Sequence, residues 1–369
     1  GTGTYDLFGT TAGTYDLGRP NLSGLLRFQG SGGADRVFGS GTADWVYGQD
    51  GADTLQGGGG NDALYGQSGA DSILGGAGND YLEGNQDADI IDAGEGDDAI
   101  RVDQNQSFGG ESIAGGAGYD ILYSYYGNVD AIALSGVEEL RVAYQTWLTA
   151  AQFAGFTRIT NWEGYPGYTL FGTTAGTYDL SGLELVALNN FYGSGGADSI
   201  IGSANGEYIY AEGGADVVAA GDGNDIVNGG DAADTLQGGE GDDTLYGNNG
   251  ADSVLGGGGN DYIVTDYGAD TVDAGDGDDV VVYYPWAPGG EDLSGGAGND
   301  TLYAYSADFF GKAVDGFEEL RVAYNVYLSA AQFASFQKIT NWEGYGAYSL
   351  SLAGPGLFDL SAGTVENNT

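Results

Sequence analysis

The sequence of 369 residues contains no cysteine, histidine or methionine, only five prolines and only nine basic residues. Without cysteine the chain forms no disulfide and no thiolate metal site. Without histidine it has neither a Ser-His-Asp triad nor the usual nitrogen ligands of zinc and copper. Against 54 acidic residues, the nine basic ones leave a net charge of −45. We therefore expect no binding to nucleic acid or to an anionic membrane, and no apolar run is long enough to predict membrane insertion.

What the chain does contain is a strict nine-residue repeat, here called a nonad. Eight consecutive nonads run from 30 to 101 and ten more run from 193 to 282, with no insertion inside either block. Position six is acidic in every nonad, and position eight is always Val, Leu or Ile. Such a short, uninterrupted period is typical of stacked coils, in which each repeat buries its apolar residue against its neighbours.

The nonad also predicts its own local structure. Positions seven to nine are expected to form a short strand whose aliphatic side chain at position eight points inward, because side chains alternate along a strand. The other six residues are rich in glycine and are predicted to form a turn. The acidic residue at position six then lies where the turn re-enters the strand, so successive coils stack their carboxylates in a ladder.

A carboxylate ladder repels itself unless cations lie within it. Calcium suits this arrangement, because it takes six to eight oxygens from flexible mixtures of carboxylates and backbone carbonyls, which glycine-rich turns expose. If consecutive turns on one edge hold each ion, we expect roughly fourteen calcium ions over both blocks. The predicted metal ligands are Asp35, Asp44, Asp53, Asp62, Asp71, Asp80, Asp89, Asp98, Asp120, Asp198, Glu207, Asp216, Asp225, Asp234, Asp243, Asp252, Asp261, Asp270, Asp279 and Asp300.

Two turns depart from the glycine pattern in a way that affects this expectation. Position four holds Thr42 and Ala232 where most nonads have glycine. Threonine and alanine tolerate left-handed backbone angles poorly. We therefore expect weaker or missing calcium near these two residues.

Several nonads, such as 57–65 (GGGGNDALY), 75–83 (GGAGNDYLE) and 256–264 (GGGGNDYIV), fit the pattern G-G-x-G-x-D-x-U-x at every specified position. In this the chain resembles the RTX (repeats-in-toxin) family of haemolysin-type calcium-binding repeat proteins, of the surface-layer or extracellular structural kind. The resemblance implies a right-handed parallel β-roll with two nonads per coil and calcium between turns on both edges. It also implies a bacterial protein exported by a one-step, type I secretion route without a signal peptide and folded by calcium outside the cell.

An internal comparison supports the two-nonad coil independently. Residues 8–17 recur at 171–180, an offset of 163, whereas residues 53–56 recur at 234–237, an offset of 181. The difference is 18 residues, which is two nonads. A coil of two nonads can be added whole without exchanging the two sheets, but a single nonad cannot.

The predicted fold class is an all-β, right-handed parallel β-roll or β-solenoid with two tandem modules. Its predicted segments are 1–29 (lead-in strands), 30–101 (roll 1), 102–192 (connecting solenoid with one isolated nonad at 115–123), 193–282 (roll 2) and 283–369 (second connecting solenoid with one isolated nonad at 295–303). A separate small β domain capping each roll is the alternative for the connecting segments. Short helical turns are predicted at 149–152 and 329–332, which have capping-box spacing. Because 3–17 already resembles 167–180, the chain is expected to be part of a longer array or a processed product.

Aromatic residues at outward positions suggest a contact surface. By coil parity, one sheet of each roll should carry most of them: Trp45, Tyr47, Tyr65 and Tyr81 in roll 1, and Tyr208, Tyr210, Tyr246 and Tyr262 in roll 2. Such a face favours contact with another protein or a glycan. The alternative is that strands simply favour tyrosine and tryptophan.

We expect a secreted bacterial calcium-binding structural protein that self-assembles as a surface-layer, matrix or filament component outside the cell or on its surface. The alternatives are a calcium-stiffened stalk of an RTX adhesin and the passive RTX tail of a secreted hydrolase or toxin. An enzyme is not expected. Paired carboxylates could hydrolyse a glycoside, but the candidates recur in both modules beside solenoid strands: Glu138, Glu139, Glu163, Glu318, Glu319 and Glu343.

Overall fold

The computed structural model describes residues 5–18, 25–102, 110–284, 291–342, 349–353 and 364–366. Almost all regular structure in these residues is β-strand, and the strands pair in parallel. This confirms the predicted all-β parallel solenoid. Neither of the two helices in the described ranges has the length and apolar character that a membrane crossing would require.

The strands of the first half, in chain order, are β1 (Tyr5–Phe8), β2 (Thr14–Asp16), β3 (Leu25–Gln29), β4 (Arg36–Phe38), β5 (Trp45–Asp50), β6 (Thr54–Gly59), β7 (Ala63–Ser68), β8 (Ser72–Ala77), β9 (Tyr81–Gln86), β10 (Ile90–Glu95), β11 (Ala99–Val102), β12 (Ser112–Ala117), β13 (Ile121–Ser124), β14 (Ala133–Ser135), β15 (Glu139–Val142), β16 (Gln145–Leu148), β17 (Arg158–Asn161), β18 (Tyr168–Gly172), β19 (Thr177–Asp179) and β20 (Glu184–Val186).

The strands of the second half are β21 (Leu188–Tyr192), β22 (Ser199–Ile201), β23 (Tyr208–Tyr210), β24 (Val217–Asp222), β25 (Ile226–Asp231), β26 (Thr235–Glu240), β27 (Thr244–Asn249), β28 (Ser253–Gly258), β29 (Tyr262–Thr265), β30 (Thr271–Asp276), β31 (Val280–Tyr283), β32 (Asp292–Ser294), β33 (Thr301–Ala304), β34 (Ala307–Asp308), β35 (Ala313–Asp315), β36 (Glu319–Val322), β37 (Asn325–Ser329), β38 (Lys338–Asn341), β39 (Ser349–Ala353) and β40 (Thr364–Glu366). The helices are α1 (Ala150–Phe153) and α2 (Ala330–Ser335).

The chain divides into two compact units. Unit 1 comprises Gly1–Thr173 and Leu183–Asn189, and unit 2 comprises Thr174–Gly182 and Asn190–Thr369. In unit 1, one sheet has the order β1-β3-β5-β7-β9-β11-β13-β15-β17-β20 and the other has the order β14-β12-β10-β8-β6-β4-β2. In unit 2, one sheet runs from β21 through β23, β25, β27, β29, β31, β33, β36 and β38 to β40, a second has the order β19-β22-β24-β26-β28-β30-β32-β35, and a third has the order β34-β37-β39. Consecutive strands of each roll therefore alternate between two sheets.

The register inside the rolls is 18 residues per coil. Leu55 pairs with Ile73 and Ile73 pairs with Ile91 in one sheet, while Leu64 pairs with Leu82 in the other. This confirms two nonads per coil. Where each roll meets its connecting segment the step lengthens, to 22 residues between Asp98 and Asp120 and to 21 residues between Asp279 and Asp300. The isolated nonads at 115–123 and 295–303 therefore continue the same stack.

Most strands in the rolls are longer than the three residues that the pattern predicts. The strand Thr54–Gly59 has six residues and continues into the first three positions of the next nonad. There Gly58 pairs with Gly76 and Gly59 pairs with Ala77 one coil later. Gly58 itself has a φ of +101°, so the strand bends without losing its neighbour. The prediction was too short because it assigned every glycine to a turn, whereas stacking of like coils pairs those backbones as well.

The core is the file of aliphatic side chains at position eight. These residues are at most 3% exposed in both rolls. A solenoid coil packs only against the coils beside it. Each of these side chains therefore packs within its own coil and against the two adjacent coils. Burial at this position is thus the main apolar contribution to the fold.

Truncation of one core residue is expected to destabilise the roll strongly. Leu64→Ala removes a fully buried side chain and should lower the free energy of unfolding by about 2–5 kcal/mol. The measurement is denaturant unfolding in excess calcium. Leu74→Ala is the matched control, because Leu74 is 38% exposed, and its change should be within about 0.5 kcal/mol. Equal effects of the two substitutions would contradict this assignment of the core.

In the described residues, most strands of the connecting segments continue the sheets of the rolls, whereas β34, β37 and β39 form a separate three-stranded sheet. After β11, unit 1 adds β13, β15, β17 and β20 to the same sheet. The helices α1 and α2 begin with the predicted capping boxes, formed by Thr149 with Gln152 and by Ser329 with Gln332. The Gln152 amide also donates to the carbonyl oxygens of Val129 and Ile132, at 2.7 and 2.8 Å. Each helix is therefore tied to the turn one coil earlier.

Candidate calcium-binding ladders

The position-six acids form four ladders, two in each unit. In every ladder the backbone N–H of one acid donates to a carboxylate oxygen of the acid one coil later, as in the 2.8 Å bonds from Asp53 to Asp71 and from Asp71 to Asp89. All twenty predicted ligands lie in these ladders: Asp35-Asp53-Asp71-Asp89, Asp44-Asp62-Asp80-Asp98-Asp120, Asp198-Asp216-Asp234-Asp252-Asp270 and Glu207-Asp225-Asp243-Asp261-Asp279-Asp300. These backbone bonds to Oδ1 are a contact that the sequence pattern does not reveal.

The second carboxylate oxygen is the distinctive feature of the ladders. Although all twenty residues are at most 7% exposed, fifteen of them have a buried Oδ2 with no hydrogen-bond partner: Asp53, Asp62, Asp71, Asp80, Asp89, Asp98, Asp120, Asp216, Asp225, Asp234, Asp243, Asp252, Asp261, Asp279 and Asp300. A buried carboxylate oxygen without a partner is strongly unfavourable, because it loses its water and gains nothing in return. A row of such oxygens indicates a ligand of positive charge.

The first glycine of the nonad shows where these oxygens point. A Cβ at Gly57 would collide with Asp62 Oδ2 and with the carbonyl oxygen of Gly75, one coil later. A carboxylate oxygen and a backbone carbonyl therefore converge on the space that this glycine leaves open. The same arrangement recurs at Gly238, beside Asp243 Oδ2 and the carbonyl oxygen of Gly256.

This donor set fits calcium. In the described ranges, no three acidic side chains come close enough to hold an ion by themselves. A site must therefore combine the carboxylates with carbonyl oxygens from the glycine-rich turns. Calcium accepts such all-oxygen mixtures in flexible geometry, whereas zinc and copper sites usually include nitrogen or sulfur ligands and iron–sulfur clusters are held by cysteine. The fifteen aspartates above would supply the charged ligands.

Burial also changes the acidity of the ladders. It is the main reason that the pKa of Asp62 is raised to about 7 and that of Asp71 to about 8, and the negative charges of the acids one coil away contribute to both increases. The pKa values of Asp252 and Asp261 rise to about 7 for the same reasons. Protons and cations therefore compete for these carboxylates near neutral pH.

Four predicted ligands differ from the others because a serine already binds them. The backbone N–H of Ser31 donates to Asp35 Oδ2 at 2.6 Å, and that of Ser40 donates to Asp44 Oδ2 at 2.6 Å. Ser194 and Ser203 do the same for Asp198 and Glu207, at 2.7 and 3.1 Å. These acids belong to the first two nonads of each roll, which begin Gly-Ser. The serine at position two was the available sequence signal, and the sequence analysis did not use it.

The two turns with threonine or alanine at position four differ from each other in the structure. Ala232 takes up the left-handed conformation, with a φ of +89°, and Asp234 after it keeps an unpartnered Oδ2. The Thr42 turn leads to the serine-bound Asp44. The expectation of weak calcium binding therefore has structural support near Thr42 but not near Ala232. Asp270, the remaining predicted ligand, continues its ladder by accepting from Asp252 N–H at 3.0 Å.

Glutamates follow the ladders at their far ends. Glu138 and Glu318 accept the N–H groups of Asp120 and Asp300, each at 2.9 Å. Glu111 and Glu291 take the position after Asp89 and Asp270, since Ser112 N–H and Asp292 N–H donate to the carbonyl oxygens of those aspartates. The sequence analysis missed Glu111 and Glu291. Their signal was an acid two residues before an aliphatic residue, Ile113 or Leu293, in an otherwise irregular nonad.

The other glutamates considered for hydrolysis have different surroundings. Glu139 binds Arg141 and Arg158, at 2.7 and 3.2 Å. Burial alone would raise the pKa of Glu139, but the hydrogen bonds and charges of the arginines hold it below its ordinary value. Glu319 is paired in the same way with Arg321 and Lys338. Glu163 is exposed, and Glu343 lies outside the described residues.

The eight outward aromatic residues that the sequence predicts for one sheet of each roll do share a sheet. Trp45 and Tyr47 are on β5, Tyr65 is on β7 and Tyr81 is on β9, all in the same sheet. Trp45 is 50% exposed, while the rings of Tyr47 and Tyr65 stack at 4.7 Å. In roll 2, Tyr208 and Tyr262 are 47% and 40% exposed, and the half-buried Tyr210 and Tyr246 lie on the same sheet.

Comparison with known families agrees with this geometry. The family model of the RTX calcium-binding nonapeptide repeat matches residues 29–64, 65–100, 107–128, 192–227, 201–235, 228–263, 255–283 and 287–308. These segments cover more than half of the chain and contain all twenty predicted ligands. The chain matches no curated protein.

Proposed function

The chain belongs to the family of RTX calcium-binding nonapeptide repeat proteins, and from that membership we propose a secreted bacterial structural protein. Its rolls fold on calcium outside the cell, and it self-associates as a component of a surface layer, matrix or filament. Proteins with these repeats are typically secreted or extracellular, which supports the proposed location and a type I export route. The proposal includes no catalytic role, because a chain without histidine or cysteine lacks the common nucleophile and base pairs.

The observation that carries the calcium-dependent part is the set of fifteen buried aspartate oxygens without a partner. Calcium, when bound, supplies the positive charge that balances these carboxylates. The chain contributes the rest: Oδ1 of each aspartate is held by a backbone N–H, so Oδ2 is already oriented toward the neighbouring carbonyl oxygen. Metal-binding free energy then becomes folding free energy, because the unfolded chain has no such preformed arrangement.

The net charge of the chain is consistent with folding outside the cell rather than inside it. A net charge of −45 opposes compaction wherever free calcium is scarce. Extracellular calcium modules typically bind with dissociation constants of about 10⁻⁴ to 10⁻³ M, which is low enough for occupancy outside the cell only. The chain would thus stay unfolded during export and fold after it.

Self-association is assigned to the aromatic face, defined here as Trp45, Tyr47, Tyr65 and Tyr81 in roll 1 and Tyr208, Tyr210, Tyr246 and Tyr262 in roll 2. Exposed aromatic side chains are enriched at protein contacts, because they bury a large apolar area at a small loss of side-chain entropy. Within this face the rings of Tyr47 and Tyr65 stack at 4.7 Å, so neighbouring coils present their aromatic side chains side by side. A second copy of the chain is the proposed occupant.

Electron microscopy of the purified chain in calcium should therefore show ordered sheets or fibres. Replacing Trp45, Tyr208 and Tyr262 by serine should disperse them while leaving the circular dichroism spectrum unchanged. The control replaces Ile90 and Val217 by serine, since these are 58% and 51% exposed on the opposite sheets. Isolated particles for the unaltered chain would contradict self-assembly and favour the stalk of an adhesin.

A further inference from the structure

Glu111 is a buried acid that no nonad pattern includes. Its side chain is 2% exposed, and both carboxylate oxygens are buried without a hydrogen-bond partner among the residues that the structure describes. The register Ile90↔Ser112 and Ile91↔Ile113 places it one coil after Asp89, whose Oδ2 is also unpartnered. Two neighbouring acids at this end of the ladder thus present three oxygens without a partner.

Unit 2 has the same arrangement with one difference. Glu291 is also 2% exposed and follows Asp270 through the register Thr271↔Asp292. Here the Lys312 ammonium forms an ion pair with Glu291 Oε2 and donates to the Tyr283 hydroxyl at 3.0 Å. A cation therefore occupies this place in unit 2, and it belongs to the protein.

The counterpart of Lys312 in unit 1 is apolar. The two connecting segments align at an offset of 180 residues, which places Ile132 where unit 2 has Lys312. The match extends to the backbone, because Gln152 donates to the Ile132 carbonyl as Gln332 donates to that of Lys312. Ile132 is 3% exposed and has no charge to offer. The same acid is thus paired in one unit and unpaired in the other.

We propose that Glu111 and Asp89 bind one additional calcium ion in unit 1, in the place that the Lys312 ammonium takes in unit 2. The loss of a lysine at this position would leave a buried, uncompensated pair of acids, which is strongly unfavourable unless another cation replaces it. Calcium is the cation that carboxylates beside backbone carbonyls prefer. Unit 2 correspondingly binds no calcium ion at this position, because the Lys312 ammonium supplies the positive charge there.

The test is to count calcium ions per chain by native mass spectrometry of the full chain in saturating calcium. Glu111→Gln should bind one ion fewer than the unaltered chain, whereas the matched Glu291→Gln should bind the same number. Two further variants add or remove the lysine. Ile132→Lys should bind one calcium ion fewer than the unaltered chain, and Lys312→Met should bind one more.

An unchanged count in a folded Glu111→Gln would overturn the site and would mean that Glu111 is buried in its protonated form. If Glu111→Gln does not fold, Ile132→Lys gives the answer, because it supplies the cation without removing the acid. An unchanged count in that variant overturns the proposal equally. The readout does not depend on self-assembly, so failure of the proposed structural role leaves this result interpretable.

Discussion

In excess chelator at about pH 7.5, the chain is expected to lose most of its β-structure, and added calcium is expected to restore it. Fifteen buried aspartates have an Oδ2 that no group in the described part of the chain binds. Once these acids are ionised without a cation, each ladder contains buried like charges one coil apart, and burial of unpaired charge is strongly unfavourable. Far-ultraviolet circular dichroism with and without chelator measures the effect.

Two controls separate calcium from general ionic effects. Chelator saturated beforehand with calcium should leave the spectrum unchanged, and sodium chloride of equal ionic strength should restore little structure because screening acts weakly on buried charges. The serine-bound acids Asp35 and Asp44 lead us to expect that residual structure in chelator lies at the start of roll 1. Identical ordered spectra in chelator and in calcium would refute the whole assignment.

Protonation of the ladder carboxylates at lower pH is expected to stabilise the chain partly when calcium is absent. Burial raises the pKa of Asp62 to about 7 and that of Asp71 to about 8 in the folded, metal-free chain, from an ordinary value of 3.8. A group whose folded-state pKa is raised binds more protons folded than unfolded, so stability falls as pH rises through this interval. These groups should therefore stabilise the chelated chain most below about pH 4, and that stability should be lost progressively as the pH rises from about 4 to about 8.

The measurement is thermal unfolding in chelator across this pH range, with calorimetry in calcium as its complement. Calcium affinity should decrease as the pH is lowered from about 8 to about 5, because protons compete for the same oxygens. The variant Asp71→Asn imitates the neutral acid. It should stabilise the chain in chelator at about pH 8 and destabilise it in calcium, since one charged ligand is lost. A chelated chain that grows more stable as pH rises would contradict the prediction.

Much of the fold follows from the nonad alone. The acid at position six and the aliphatic at position eight predicted the ladders and the core: Leu64 is buried and Asp62 lies in a ladder, as expected. The two-nonad coil could be predicted from the 18-residue difference between repeat offsets, and the register Leu55↔Ile73 confirms it. This succeeds because a coil in a solenoid contacts only its neighbours, so the local period carries most of the contact information.

Other features depend on contacts that no period encodes. The six-residue strands and the position of Glu111 beside Asp89 appear only when coils are stacked. Lys312 reaches Glu291 across 21 residues, through an irregular connecting segment, whereas Ile132 occupies the equivalent place in unit 1. The sequence by itself therefore determined the repeating ladder and its chemistry. Only the folded chain shows which buried acids have a partner, because burial and pairing are properties of neighbours in space.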